Sequence, residues 1–379
     1  MHARSPRLWR SWQTPCFEDV GMNPAAILLG AVQVLFTGAE SATTWLQGVD
    51  RAHDVAYVTH EARGRGAYSL ESINLTAQTS TVQTATLEHG LVAYADIVES
   101  TGPFTTRSRN YAGPHVAVSR DHIAYEAAED ALLVANRGGG GTRRLGARLS
   151  AAYHPIFSPD GASIAYTGCT KRATIPRDEL ALCTYRLFVG PVEGPQIDVR
   201  SVIDPQPPVF SPDGRYVYVA SRDDDHATAP RDRGGCAYRV VAATGEATSL
   251  GCMTTATAIE MRQSDDGRTG VLFGHTAVGE MEVHVLDLPE GTERHAWTIP
   301  SGPSVALGSA RILALGGTAQ MSFVDLETGV ARTITRAPRT LSWVSNQWRD
   351  DHTLYAIEHD LESALYRILE IDARATLGS

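Results

Sequence analysis

The chain has 379 residues, of which 33 are Lys or Arg and 43 are Asp or Glu, so its formal net charge is −10. With 43% hydrophobic and 20% charged residues, its composition is that of a globular protein and excludes disorder as the dominant state. Because nucleic acids are bound mainly through clustered Lys and Arg, the acidic balance also argues against a nucleic-acid ligand.

An apolar stretch, residues 25–36, lies near the N-terminus. It is too short for a membrane-spanning helix, which needs about 20 residues, but it fits the hydrophobic region of a secretory signal. Small residues that follow would permit cleavage after Ala39 or Ser41. We therefore expect a signal-peptide region over residues 1–41, with Met22 as the candidate true start, and no membrane span in the remaining 42–379. The alternative is a buried first helix.

One motif recurs at a constant interval. PIFSPDGASIAYTG begins at position 155, PVFSPDGRYVYVAS at 208 and the degraded copy EMRQSDDGRTGVLFG at 260. The aligned residues Ser158, Ser211 and Ser264 are spaced 53 residues apart. Within each copy, proline and glycine suit a tight turn, and the aspartate can cap backbone amides.

The strand after each turn belongs to a longer series of short apolar strands. Eight such signals occur, at Val55, Val92, Ile123, Ile164, Val217, Val271, Ile312 and Leu354. Further apolar and polar strands follow each signal, and four short antiparallel strands repeated every 40–50 residues or so are typical of a β-propeller blade. We predict an all-β propeller, a single domain over 42–379, and favour eight blades. Seven is the alternative because the interval from the second to the third signal is short for four strands.

The sequence FSPDG, followed by a strand such as IAY and an acidic turn such as SRDDD, resembles the WD40-like repeat of the TolB type, often called PD40. The resemblance covers roughly residues 45–375 and is most specific in the middle of the chain. It implies a propeller. The family includes periplasmic scaffolds, domains of serine peptidases and sugar lyases, so the resemblance alone assigns no chemistry.

The cysteines indicate an oxidising compartment. Removal of the signal leaves four, which form two close pairs: Cys169 with Cys183, and Cys236 with Cys252. The first pair requires a hairpin register in which Ile164 opposes Phe188, and the second centres its hairpin on Thr244. Both registers suit the blade plan, so we predict two disulfides and a periplasmic or extracellular location. Four buried reduced thiols are the alternative.

Motifs of common enzymes are missing from the sequence. There is no G-x-S-x-G nucleophile turn, P-loop or HExxH pattern, and the glycine-rich run from Arg137 is predicted to be a hairpin turn. We therefore lean away from catalysis and expect no cofactor.

Two long polar loops are the candidate binding surface. KRATIPRDEL begins at Lys171 and RDDDHATAPRDRGG at Arg222, in neighbouring blades and on one face. Long polar loops on a rigid scaffold commonly carry recognition. The candidate binding residues are Arg177, Asp178, Arg222, Asp223, Asp224, Asp225, His226, Arg231 and Arg233. The acidic run in the second loop could hold a hard cation, but a solvated acidic turn is the favoured interpretation, and no metal is predicted.

A second set of candidates is expected near the central channel. His154 precedes an innermost strand and His275 follows a second strand, whereas four others should lie on or near innermost strands: Tyr153, Glu260, Arg262 and Trp343. The resemblance implies that family lyases hold a metal with channel histidines, yet no histidine here falls at a repeated blade position. The favoured hypothesis is a monomeric, non-catalytic, secreted propeller that binds a protein or cell-envelope ligand. The alternative is a polysaccharide lyase or hydrolase working in the channel.

Overall fold

The structure is a computed structural model that describes residues 32–39, 43–50, 53–62, 67–83, 116–127, 131–137, 141–146, 149, 151–174, 181–222, 234–253, 256–264, 266–276, 280–300, 304–308 and 312–377. Over these ranges the strands form seven four-stranded antiparallel sheets in a ring, which confirms the predicted all-β propeller. The described residues form one short helix, α1 (Ala373–Leu377). Within the described ranges, no helix is long and apolar enough to cross a bilayer.

The strands follow one another outward from the channel in each blade, and only the last blade departs from chain order. Blade 1 contains β2 (Thr43–Asp50), β3 (Val55–Ala62), β4 (Ala67–Asn74) and β5 (Thr79–Gln83). Blade 2 contains β6 (Val116–Val118), β7 (His122–Ala127), β8 (Ala131–Asn136) and β9 (Arg143–Leu145). Blade 3 contains β10 (Ala151–Phe157), β11 (Ser163–Thr174), β12 (Ala181–Pro191) and β13 (Ile197–Ile203).

The second half of the ring repeats this plan. Blade 4 contains β14 (Val209–Phe210), β15 (Tyr216–Arg222), β16 (Gly235–Val241) and β17 (Ala247–Met253). Blade 5 contains β18 (Ala256–Gln263), β19 (Thr269–Thr276), β20 (Glu280–Asp287) and β21 (Thr292–Pro300). Blade 6 contains β22 (Ser304–Leu307), β23 (Ile312–Gly316), β24 (Gln320–Asp325) and β25 (Ala331–Thr335). Blade 7 contains β26 (Thr340–Trp348), β27 (Thr353–Asp360), β28 (Leu365–Asp372) and β1 (Val32–Ala39).

The favoured count of eight blades is wrong, and the alternative of seven is correct. Seven of the eight predicted strand signals are the second strands of the seven sheets. The remaining signal, at Val92, lies outside the described residues. Each of the seven described sheets therefore contains one of the predicted signals as its second strand.

The repeated turn has the geometry expected from its residues. In all three copies, including the degraded third, the serine hydroxyl donates to Oδ1 of the aspartate two positions on, over 2.5, 2.6 and 2.6 Å. The same hydroxyl accepts a hydrogen bond from the amide that starts the next strand, over 2.8, 2.9 and 3.0 Å. The glycines adopt φ of 71° to 73°, which a residue with a side chain rarely does. The serine hydrogen bond lowers the pKa of Asp160 and Asp213.

The ring closes through the N-terminal strand. β1 pairs antiparallel with β28 and is the outermost strand of blade 7. The apolar pattern of the sequence predicts these same residues to be part of a signal region, with the propeller starting at residue 42. The alternative of a buried helix is wrong for residues 32–36, which are extended. Val32–Ala39 cannot be both the closing strand and part of a removed leader in one mature protein.

Candidate binding face

The two ends of the propeller carry different kinds of connection. The repeated serine and aspartate turns join the first and second strands at one end, which we call the turn face. At the other end, the loop face, the second strand connects to the third and the chain passes on to the next blade. The two predicted binding loops fall between second and third strands, in the segment from β11 to β12 of blade 3 and in that from β15 to β16 of blade 4.

The two middle strands of blade 3, β11 and β12, extend further on the loop face than the first and fourth strands of the same sheet. β11 has 12 residues and β12 has 11, whereas the second strands of the other blades have five to eight. β10 pairs with β11 no further than Cys169, and β13 pairs with β12 no further than Arg186. Beyond a bulge at Cys169, β11 and β12 pair only with each other among the described residues, up to Thr174 opposite Ala181. We call this two-stranded ribbon, residues 171–174 and 181–184, the blade-3 arm.

The arm corrects the prediction that a loop begins at Lys171, because the first four residues of that segment continue β11. At about 3.3 Å per residue, four additional pairs carry the backbone roughly 13 Å beyond the sheet. Arg177 and Asp178 lie outside the described residues, as do Asp223, Asp224, Asp225, His226, Arg231 and Arg233. Arg222 is the last residue of β15 and its backbone pairs with Gly235.

The predicted register of the blade-3 hairpin is wrong by two residues. Ile164 opposes Gly190 instead of Phe188, and Cys169 opposes Tyr185 instead of Cys183. Tyr166 opposes Phe188, and their rings stack with centroids 5.3 Å apart. This apolar packing and the bulge at Cys169 determine the register. Cys169 is disulfide-bonded; the side chain of Cys183 lies outside those described, so the pairing of the two stays a prediction.

The second predicted disulfide is confirmed at the base of the blade-4 loop. Cys236 and Cys252 oppose each other directly on β16 and β17 and are bonded. The register could be predicted because the connection between these strands is a short local turn around Thr244.

Loss of this bond is expected to cost stability. The cysteines are 16 residues apart, and a disulfide that closes a loop of this length contributes about 3 kcal/mol in the chain-entropy model. We expect the double variant Cys236→Ser, Cys252→Ser to unfold at lower temperature than the oxidised protein, by an amount that calorimetry measures. Non-reducing peptide mapping of native protein is the complementary test: recovery of these two residues as free thiols would contradict the bond. The same map tests the predicted link from Cys169 to Cys183.

Two of the channel candidates meet at the start of blade 3. β10 bulges between Tyr153 and Ile156, and His154 within the bulge has a left-handed φ of 56°. The ring centroid of Tyr153 is 6.3 Å from that of His154 and 6.1 Å from that of Tyr185. Tyr185 was not predicted as a site residue, because its position beside Tyr153 depends on the register of β12. A bulge on an innermost strand re-aims side chains, and strained backbone often accompanies a site.

A second group forms in blade 5, where β18 also bulges, between Thr257 and Glu260. Glu260 Oε2 lies 2.8 Å from Nη2 of Arg262, so these two predicted residues form an ion pair. The Arg262 guanidinium lies over the ring of Phe273, 5.6 Å from its centroid. His275 pairs with Thr257 across the same two strands. The backbone of Trp343 opposes Ile357 in blade 7.

The channel candidates therefore divide between blades 3, 5 and 7, and the structure brings together two pairs, Tyr153 with His154 and Glu260 with Arg262. Among the residues described, no three His, Cys, Asp or Glu side chains come together as metal ligands would.

Solved structures of other proteins are similar to this chain in fold. No family model and no curated protein matches the chain. An oligogalacturonate lyase in complex with manganese is 11% identical, with 92% of this chain and 95% of that chain covered and a TM-score of 0.58. The β-propeller domain of Cps50 (Swd1) from Myceliophteria thermophila is 11% identical, with coverage of 89% and 99% and a TM-score of 0.52.

TolB from Acinetobacter baumannii also matches, at 13% identity, coverage of 84% and 80%, and a TM-score of 0.38. At such identities the first two matches show the propeller fold and nothing about activity. The TolB-type repeat remains a resemblance of the sequence.

Proposed function

We propose that this chain is a non-catalytic propeller that binds a protein or cell-envelope ligand through the loop face of blades 3 and 4. The observation that carries the proposal is the blade-3 arm, which continues beyond its sheet as a two-stranded ribbon. Cys169 at its root is disulfide-bonded, and the neighbouring blade-4 loop leaves from a second disulfide. Such bonds hold a projecting element on a rigid base and support a periplasmic or extracellular location.

The arm suits recognition by its backbone and by its sequence. Beyond Cys169 its outer edges pair with no strand among the described residues, and strand edges of this kind can pair with the backbone of a partner. Its sequence carries Lys171, Arg172 and Arg177 close to Asp178, in a protein of net charge −10. A polar ligand with both signs of charge fits this surface.

Removal of the loop-face arginines is expected to weaken ligand capture about tenfold or more. The variant replaces Arg177, Arg222, Arg231 and Arg233 with alanine. We expect these loop charges to be solvated, and since solvated charges contribute less than ~1 kcal/mol each, the melting temperature should stay close to that of the wild type. Quantitative pull-down from envelope extract measures the capture. A matched control replaces four exposed arginines away from the loop face, Arg120, Arg215, Arg268 and Arg332. Equal capture by both variants would contradict the proposal.

A lyase or hydrolase in the channel is the second candidate, and the left-handed backbone of His154 beside Tyr153 is what favours it. Its test is a panel of oligogalacturonates and other polysaccharides, with and without manganese. We expect no turnover. Turnover that is lost in His154→Ala, His275→Ala or Glu260→Gln but retained by the arginine variant would reverse the choice between the two functions.

A further inference from the structure

The strand that completes the last blade comes from the apolar N-terminal segment. β1 pairs with β28 from Val32 opposite Ile371 to Ala39 opposite Leu365, with one bulge between Val34 and Phe36. β28 pairs on its other side with β27. Without β1, the outer edge of β28 would expose a row of unpaired backbone amides and carbonyls, and blade 7 would have three strands.

The side chains of β1 are built into the junction between the last blade and the first. Leu35 and Phe36 are each 7% exposed. They pack in one cluster with apolar residues of blade 1, among them Leu46 and Val58, and with Ile368 of blade 7. In the same strand Val34 points outward and is 49% exposed. The segment therefore fills a place between two blades that are far apart in the sequence.

One hydrogen bond and one close steric contact further fix the position of β1. Gln78 Nε2, from the turn between β4 and β5, donates a hydrogen bond of 2.9 Å to the carbonyl oxygen of Leu35. Gly38 lies so close to Tyr366 that a Cβ there would be 2.6 Å from the phenol ring. Tyr366 itself is 2% exposed and its hydroxyl donates to Glu71 of blade 1 over 3.3 Å.

We propose that Val32–Ala39 stays in the working protein as the strand that closes the ring, and that any processing of the chain occurs N-terminal to Val32. The outer edge of β28 is then a strand-binding site whose occupant is this segment of the same chain. An apolar run suits the hydrophobic region of a leader and a strand buried between two blades equally well, which explains why the sequence pattern indicated a leader. The proposal is independent of the ligand proposed above.

Three substitutions in the full-length chain separate the two roles. Leu35→Asp, Phe36→Asp and Val34→Asp each place one carboxylate in the same apolar run, so a leader would be impaired similarly by all three. A closing strand would be impaired unequally, because Leu35 and Phe36 are buried and Val34 is exposed. We expect Leu35→Asp and Phe36→Asp to lower the melting temperature by roughly 5 °C or more, and Val34→Asp by no more than about 1 °C. If the first two do not fold, Leu35→Ala and Val34→Ala give the same contrast at smaller amplitude.

Intact-mass analysis of the protein purified from its own cells completes the test. A mature chain that retains Val32–Ala39 is expected. A mature protein that begins at Glu40 or Ala42, or equal melting temperatures for the Leu35 and Val34 variants, would overturn the proposal.

Discussion

Replacing Glu358 with alanine is expected to lower the free energy of unfolding by about 3 kcal/mol, because it leaves two guanidinium groups without their shared carboxylate. Glu358 is 1% exposed. It accepts hydrogen bonds from Arg336 Nε and Nη2 over 2.6 and 3.2 Å, and from Arg367 Nη1 over 3.1 Å. Arg336 lies in the connection from β25 to β26 and Arg367 lies on β28, so the carboxylate on β27 links the chain segment that arrives from blade 6 to blade 7.

A matched control is available in the same blade. The Glu362 carboxylate is 70% exposed and lies 3.5 Å from Nη1 of Arg339, and exposed pairs of this kind contribute less than ~1 kcal/mol. Glu362→Ala should therefore be nearly neutral in denaturant unfolding or calorimetry. If Glu358→Ala is equally neutral, the buried cluster does not stabilise blade 7 in the way that its geometry indicates.

The second large effect is expected at Gly308, just after β22. A Cβ at this position would lie 2.2 to 2.4 Å from three atoms of the Trp348 indole. Trp348 is buried in the cluster between blades 6 and 7, so a shift of its ring would disturb the residues packed around it. Overpacking of a filled core costs about 1–3 kcal/mol, and we expect Gly308→Ala to lie at the upper end of that range.

Gly251→Ala is the control for this variant, because nothing lies within 4 Å of the added methyl group. Calorimetry of the two variants beside the wild type measures the difference. Similar melting temperatures for both would show that β22 and β26 can separate enough to admit a methyl group, contrary to the packing observed.

Local patterns determined much of this protein. The serine and aspartate turns form in all three copies because every hydrogen bond in them joins residues no more than five positions apart. The second strands follow from apolar triplets after such turns. The register of Cys236 and Cys252 follows from a short hairpin, in which the turn alone sets which residues oppose each other. The face on which the candidate loops lie also follows from strand order.

Other features depend on contacts that no local pattern encodes. The register of β11 and β12 is set by a bulge and by the stacking of Tyr166 on Phe188, and it creates both the blade-3 arm and the contact between Tyr153 and Tyr185. The pairing of residues 32–39 was decided at the closure of the ring. There β1, near the N-terminus, pairs with the outer edge of β28, near the C-terminus. An apolar run shows that its residues avoid water, and only the tertiary structure shows which surface they are buried against.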